Sequence, residues 1–165
     1  MFDGFDPQTL LTTGRVVRDP HLRLDSPADP YVDLIRNHMS AGTHARFARQ
    51  ALEVDPGFIH AHYVLANEAT DDDEYMFHLR AVEVTGEILW GPVIDEFGED
   101  IRWRNVTDVN PYRWSLVLLG DELAKQGDVE GAVRAYERVM VLSDHDAPVT
   151  LGKLRNLTDQ PSLKF

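Results

Sequence analysis

Residues 115–144 read SLVLLGDELAKQGDVEGAVRAYERVMVLSD. Apolar residues recur in this stretch at helical spacing, first in one run and then in a second. The first run contains Leu116, Leu119 and Leu123, and the second contains Ala132, Tyr136 and Val139. A Gln-Gly-Asp turn at 126–128 separates them. The pattern predicts two amphipathic helices that fold back on each other, with Gly120 and Ala132 small enough to let them cross closely.

The same stretch resembles a tetratricopeptide repeat, a helix–turn–helix unit of about 34 residues. Its L-x2-L-G-x2-L, K-Q-G-D and A-x3-Y-x2-V segments follow the intervals of that family. It departs from the family at Leu116, where Trp is common, and at Asp144, where Pro is common. The resemblance implies an all-α fold, a short superhelix of about three helical hairpins closed by a C-terminal capping helix.

Composition narrows the functional classes. The chain has 165 residues, no cysteine and a formal net charge of −12. Disulfides, thiolate metal sites and a cysteine nucleophile are therefore excluded. An acidic chain is repelled by phosphate groups, so neither nucleic acid nor an anionic membrane is an expected partner. No apolar run approaches the ~20 residues of a membrane span, and the acidic N-terminus is unlike a signal peptide, so we expect a cytoplasmic protein.

Acidic residues are concentrated in one part of the chain. Residues 71–100 contain ten of them and a single base, Arg80. This part forms either a solvated face that maintains solubility or a docking surface for a basic partner.

Turn residues divide the chain into segments. Asp55-Pro56-Gly57 and Gly91-Pro92 each predict the end of a helix, because proline cannot continue one. The predicted segments are an extended arm at 1–28, a helical domain at 29–158 with hairpins at about 30–56, 58–90 and 112–144, an insert at 91–111, a capping helix at 147–157 and a tail at 159–165.

The insert resembles one found in a group of bacterial tetratricopeptide-like proteins. Its L-W-G-P, E-D and W elements precede N-P-Y-R at 110–113, where that group has an R-P-Y-M-R type of sequence. The cysteine-containing zinc motif of some members is absent here.

Carboxylates at Asp95, Glu96, Glu99 and Asp100 could bind a divalent cation, but no regular loop fixes their geometry. None of the seven histidines has a spacing typical of a metal site. We therefore expect no metal, cofactor or catalytic residue.

The resemblance also implies binding residues. In the family, the concave groove is formed mainly by the first helix of each hairpin. The corresponding positions are His60, Tyr63 and Asn67 in the second hairpin and Trp114, Val117, Asp121 and Lys125 in the last. Aromatic side chains beside polar ones suit peptide recognition. Alternatively, Trp114 and Tyr63 pack against the arm or the insert. Tyr63 occupies a place where a clamp for a C-terminal carboxylate would have lysine.

These observations predict a non-catalytic scaffold or adaptor that binds a basic or apolar protein segment in its groove. One alternative is a homo-oligomer, such as a homodimer, that uses the groove and the N-terminal arm for self-association. A second alternative is a metal-dependent enzyme that uses the acidic insert.

Overall fold

The computed structural model describes residues 26–37, 41–98, 101–106 and 109–159. These parts contain helices and no strand, so the all-α prediction is confirmed. The helices run over Pro30–Asn37 (α1), Ala41–Val54 (α2), Ile59–Glu68 (α3), Asp72–Phe97 (α4), Asn110–Lys125 (α5), Val129–Val141 (α6) and Pro148–Thr158 (α7), with a 3₁₀ turn at Trp103–Asn105. Of the predicted arm only 26–28, and of the predicted tail only Asp159, lie within the described residues.

The chain divides into two compact units, Met1–Ile101 and Arg102–Phe165. In the first unit α1 packs on α2, α2 on α3, and α3 on α4. In the second unit α5 packs on α6, and α6 on α7. Within each unit, helices that are consecutive in the chain therefore pack on each other, as is usual for short connections.

Small residues form the centre of the first unit. Ala45, Ala48 and Ala51 of α2 are buried, and their spacing of three residues places them on one face of the helix. They join Ile35 of α1 and Leu65 of α3 in one apolar cluster. Because alanine projects little beyond the backbone, α2 can approach helices on both sides.

Helix α4 begins at a side-chain cap. The carboxylate of Asp71 accepts a hydrogen bond from the backbone N–H of Glu74 at 2.8 Å. Asp72, Asp73 and Glu74 occupy the first turn, where negative charge is favoured by the helix dipole. The acidic run therefore stabilises a helix start.

The Gly91-Pro92 pair predicted that helix α4 ends at residue 90, and this prediction is wrong. It continues through Pro92 to Phe97, so the first part of the predicted insert is helical. A proline inside a helix costs about 3 kcal/mol because it removes a hydrogen bond and crowds the preceding turn. Pro92 itself is exposed, whereas Val93 and Ile94 are each 7% exposed. Burying two such side chains contributes about 3–6 kcal/mol, which offsets that cost.

The second unit is built on the α5–α6 hairpin. Tyr112, Leu116, Leu119 and Leu123 form the buried stripe of α5. On α6 the stripe includes Ala132, Tyr136 and Val139. Gly127 has φ +81° in the turn, and Asp128 caps α6 by accepting from the Gly131 N–H at 2.9 Å. Gly127 and Asp128 therefore match what the backbone requires at their positions.

Helix α7 packs on α6 differently from the prediction. A capping helix should cover the apolar end of the stack with its aliphatic side chains, which are Val149, Leu151, Leu154 and Leu157. Val149, however, is 73% exposed. The other three, Leu151, Leu154 and Leu157, are half-buried, and Thr150 is the buried residue of this helix. Because the apolar contacts are partial, the hydrogen bonds that Lys153 donates to Asp121 of α5 contribute to holding α7 in place.

Candidate functional site

The seven predicted groove residues fall into two sets on separate units. His60, Tyr63 and Asn67 lie on α3, whereas Trp114, Val117, Asp121 and Lys125 lie on α5.

The α3 set is partly occupied by contacts within the chain. Asn67 is exposed, and its amide Nδ2 donates to the backbone oxygen of Tyr63 at 2.8 Å. Tyr63 is half-buried. Burial, and secondarily the charge of Arg36, lowers the pKa of His60 to about 4. At neutral pH His60 is therefore an uncharged side chain, not a cation that could bind a carboxylate.

On α5 the exposed tryptophan is the main feature. Trp114 is 43% exposed, whereas Trp90 and Trp103 are 0% and 1% exposed. Val117, half-buried, lies one turn further along the same side of the helix. A large aromatic and an aliphatic side chain thus share one surface on a helix whose opposite face is buried.

Asp121 is engaged inside the second unit. Its carboxylate accepts a hydrogen bond from Tyr136 Oη at 2.6 Å, and Lys153 Nζ of α7 donates to both oxygens at 2.6 and 2.8 Å. Burial, and then the Asp121 hydrogen bond, raises the pKa of Tyr136. The carboxylate therefore connects all three helices of the unit. Exposed Lys125 pairs with Glu122 of its own helix.

The predictions did not include a buried histidine pair in the first unit. Nδ1 of His62 on α3 lies 2.9 Å from Nδ1 of His78 on α4, and the residues are 2% and 5% exposed. Nε2 of His62 lies 2.7 Å from the carbonyl oxygen of Pro56. The ring of Phe77 packs edge-on against both imidazoles. The two histidines are 16 positions apart on different helices, so no local motif could reveal the pair.

A carboxylate of the Asp-His-Asp sequence at 144–146 anchors the segment before α5. Asp144 accepts from the Trp103 N–H at 2.8 Å and from Arg104 Nε at 3.2 Å. Arg104 also pairs with Asp146 at 2.8 Å. Asp144 and His145 have φ values of +52° and +60°, so Asp144 combines a left-handed turn backbone with these long-range side-chain contacts.

Metal-ligating side chains do not converge in the described ranges: no group of three or more His, Asp or Glu there could hold an ion. Asp95 and Glu96 are exposed on α4, and Glu99 and Asp100 lie outside the described residues. In the same ranges, no helix is both long and apolar enough to cross a membrane.

No protein-family model, curated protein or solved structure matches this chain.

Proposed function

We propose that this chain is a non-catalytic, tetratricopeptide-like binding protein that holds a segment of another protein against α5. The observation that supports the proposal is the exposure of Trp114, at 43%, on a helix whose other face is fixed in a core. A tryptophan on a rigid helix loses little conformational freedom when a partner covers it. Tryptophan is also the residue most often responsible for a large share of binding energy at protein interfaces.

The partner segment contributes an apolar side chain at this surface. Val117 lies beside Trp114, so an aliphatic or aromatic side chain would bury apolar area on both. Residues 102–165 contain nine acidic and nine basic residues, whereas all of the −12 net charge falls within 1–101. The surface of α5 therefore selects by shape and apolar contact. A basic region of the partner would be attracted by the first unit.

Selection of peptides tests the proposal. A phage-displayed random peptide library is selected on the immobilised wild-type chain, and the selected peptides are synthesised and titrated by calorimetry. Trp114→Ala should weaken them by about 2 kcal/mol or more, which is about thirty-fold in Kd. Val129→Ala is the matched control, because Val129 is 45% exposed on α6. Equal affinity for the wild-type chain and the Trp114→Ala variant would contradict the proposal.

The partner segment can also belong to a second copy of this chain. Sedimentation equilibrium over a range of concentrations separates the two cases. Self-association through α5 predicts a wild-type dimer that Trp114→Ala converts to a monomer. A wild-type monomer at all concentrations assigns the surface to a different protein.

A further inference from the structure

The hydrogen bonds of the buried histidine pair fix where its protons lie. The carbonyl oxygen of Pro56 can only accept, so His62 Nε2 carries a proton and donates across 2.7 Å. In neutral His62 the other nitrogen, Nδ1, is then an acceptor. The 2.9 Å contact therefore requires His78 to carry its proton on Nδ1 and donate to His62. His78 Nε2 is left without a proton, 4.0 Å from Glu74 Oε1.

The pair can accept one more proton without losing its central hydrogen bond. A proton added at His78 Nε2 creates a cation next to the Glu74 carboxylate, and one proton still lies between the two Nδ1 atoms. A further proton must go to His62 Nδ1. Two N–H groups would then face each other across 2.9 Å, and two cations would be buried side by side. That state is incompatible with the observed packing.

We propose that His62 and His78 form an acid-sensitive clasp that holds α3 against α4 and releases this hairpin when both imidazoles become charged. The clasp joins the two helices at a buried point, so its opening separates elements of the first unit. This role is independent of the binding surface on α5, which belongs to the second unit.

Charged groups on neighbouring elements set the response. Burial first, then the repulsion between the His78 and His62 imidazoles when both are charged, and then the charge of Arg49 on α2, lower the pKa of His78 to about 4. Glu74 Oε1 lies 4.0 Å from His78 Nε2, where its negative charge would attract a protonated ring. In the turn between α2 and α3, the carboxylate of Asp55 accepts from Ser26 Oγ and from the Gly57 N–H.

The direction of the pH effect follows from this lowered pKa. In the unfolded chain a histidine titrates near 6.5, so between pH 6.5 and about 4 the unfolded state binds more protons than the folded state. Stability of the hairpin is therefore complete above 6.5 and is lost as the pH falls toward 4. Each proton taken up on opening favours the open state about tenfold per pH unit.

Amide hydrogen exchange of the full chain between pH 7.5 and 4.5 tests the clasp, with intrinsic exchange rates divided out. Protection of α3 and α4 should fall by about tenfold per pH unit for each proton taken up, which is up to about a hundredfold for His62 and His78 together. His60 of α3, whose pKa is also lowered to about 4, adds up to one more proton in wild type and variants alike. His78→Asn should reduce this slope by about one proton. The amide can donate to His62 Nδ1 and can rotate to accept from it once His62 is charged. His145→Asn is the control, because His145 is exposed and asparagine tolerates its φ of +60°.

Two results would overturn the proposal. One is a slope in α3 and α4 that is the same in wild type and His78→Asn. The other is an equal reduction in His145→Asn. A measurement on the wild type alone provides a further test. Imidazole ¹⁵N spectra at pH 7.5 should assign the proton of His62 to Nε2 and that of His78 to Nδ1. Any other tautomer pair contradicts the arrangement, whatever the stability of the variants.

Discussion

Gly120 of α5 lies directly against the ring of Tyr136 of α6. A Cβ at position 120 would be 2.5 Å from Tyr136 Cε1 and 2.8 Å from Cδ1. The ring is held by its hydroxyl, which donates to Asp121. The hairpin that the sequence most clearly predicts therefore depends on the absence of a single methyl group.

Gly120→Ala should destabilise the second unit. The ring cannot move freely to make room, so we expect a loss of about 1–3 kcal/mol in the free energy of unfolding, measured by urea denaturation. Gly152→Ala on α7 is the matched control, because nothing lies within 4 Å of its added Cβ. In a helix interior that change should stabilise by up to about 1 kcal/mol. Equal effects of the two substitutions would refute the close contact.

Asp121→Asn should loosen α7. The substitution removes the charge that pairs with Lys153, and it weakens the acceptor for Tyr136. About one-third of each charged side chain is exposed, so solvent screening limits the loss to about 1 kcal/mol. Hydrogen exchange should become faster in α7, with little change in α3. Glu122→Gln, which weakens the ion pair with Lys125 of the same helix, should leave exchange in α7 unaltered.

Substitution of Asp144 should lower the free energy of unfolding through two effects that can be separated. Its side chain is 8% exposed and accepts from the Trp103 N–H, and its backbone is left-handed at φ +52°. Asp144→Gly tolerates the left-handed backbone but removes the acceptor of the Trp103 N–H. We expect this to lower the free energy of unfolding by about 1–3 kcal/mol. Asp144→Ala adds backbone strain and should cost about 1–2 kcal/mol more than glycine. Urea denaturation measures both.

Asp146→Ala is the comparison for Asp144. Its side chain is 65% exposed, so loss of the Arg104 pair should cost less than about 1 kcal/mol. A substitution at 146 as damaging as those at 144 would show that the ion pair, and not the backbone contact of Asp144, anchors this segment.

The effect of the Arg36 charge on the pKa of His60 should be measurable. Burial is the main cause of the lowered His60 pKa, of about 4, and the Arg36 charge is the second cause. Arg36→Gln removes that repulsion, so the pKa of His60 should rise toward 6.5 while remaining below it. Because the folded-state pKa is then closer to the unfolded value, less stability is lost between pH 6.5 and 4. A ¹H–¹⁵N titration of the imidazole checks the shift, and Arg46→Gln on α2 serves as the control.

Local pattern predicted the α5–α6 hairpin well because its determinants are local. Leu116, Leu119 and Tyr136 repeat at helical spacing, and Gly127 and Asp128 are suited to the turn. The end of α4 was mispredicted for the opposite reason. Pro92 is a local stop signal, but burial of Val93 and Ile94 is a tertiary effect that no window of sequence contains.

In the candidate site, too, the features set by local sequence were predicted and those set by tertiary packing were not. Trp114 lies on the first helix of a hairpin, as the sequence predicted, and it is exposed, whereas its role in binding stays a prediction. Asp121 was predicted to contact a ligand. In the structure its carboxylate is bound by Lys153, which lies 32 positions later in the chain, on α7. The His62–His78 contact likewise required the packing of two helices to be known.

The central claim, that a protein segment covers Trp114, is tested most directly by iodide quenching of tryptophan fluorescence. Trp114 is the exposed one of the three tryptophans, so it accounts for the quenching of the free chain. A selected, tryptophan-free peptide should reduce quenching at saturation to the level of peptide-free Trp114→Phe. Quenching that is unchanged when the peptide is fully bound would contradict the account.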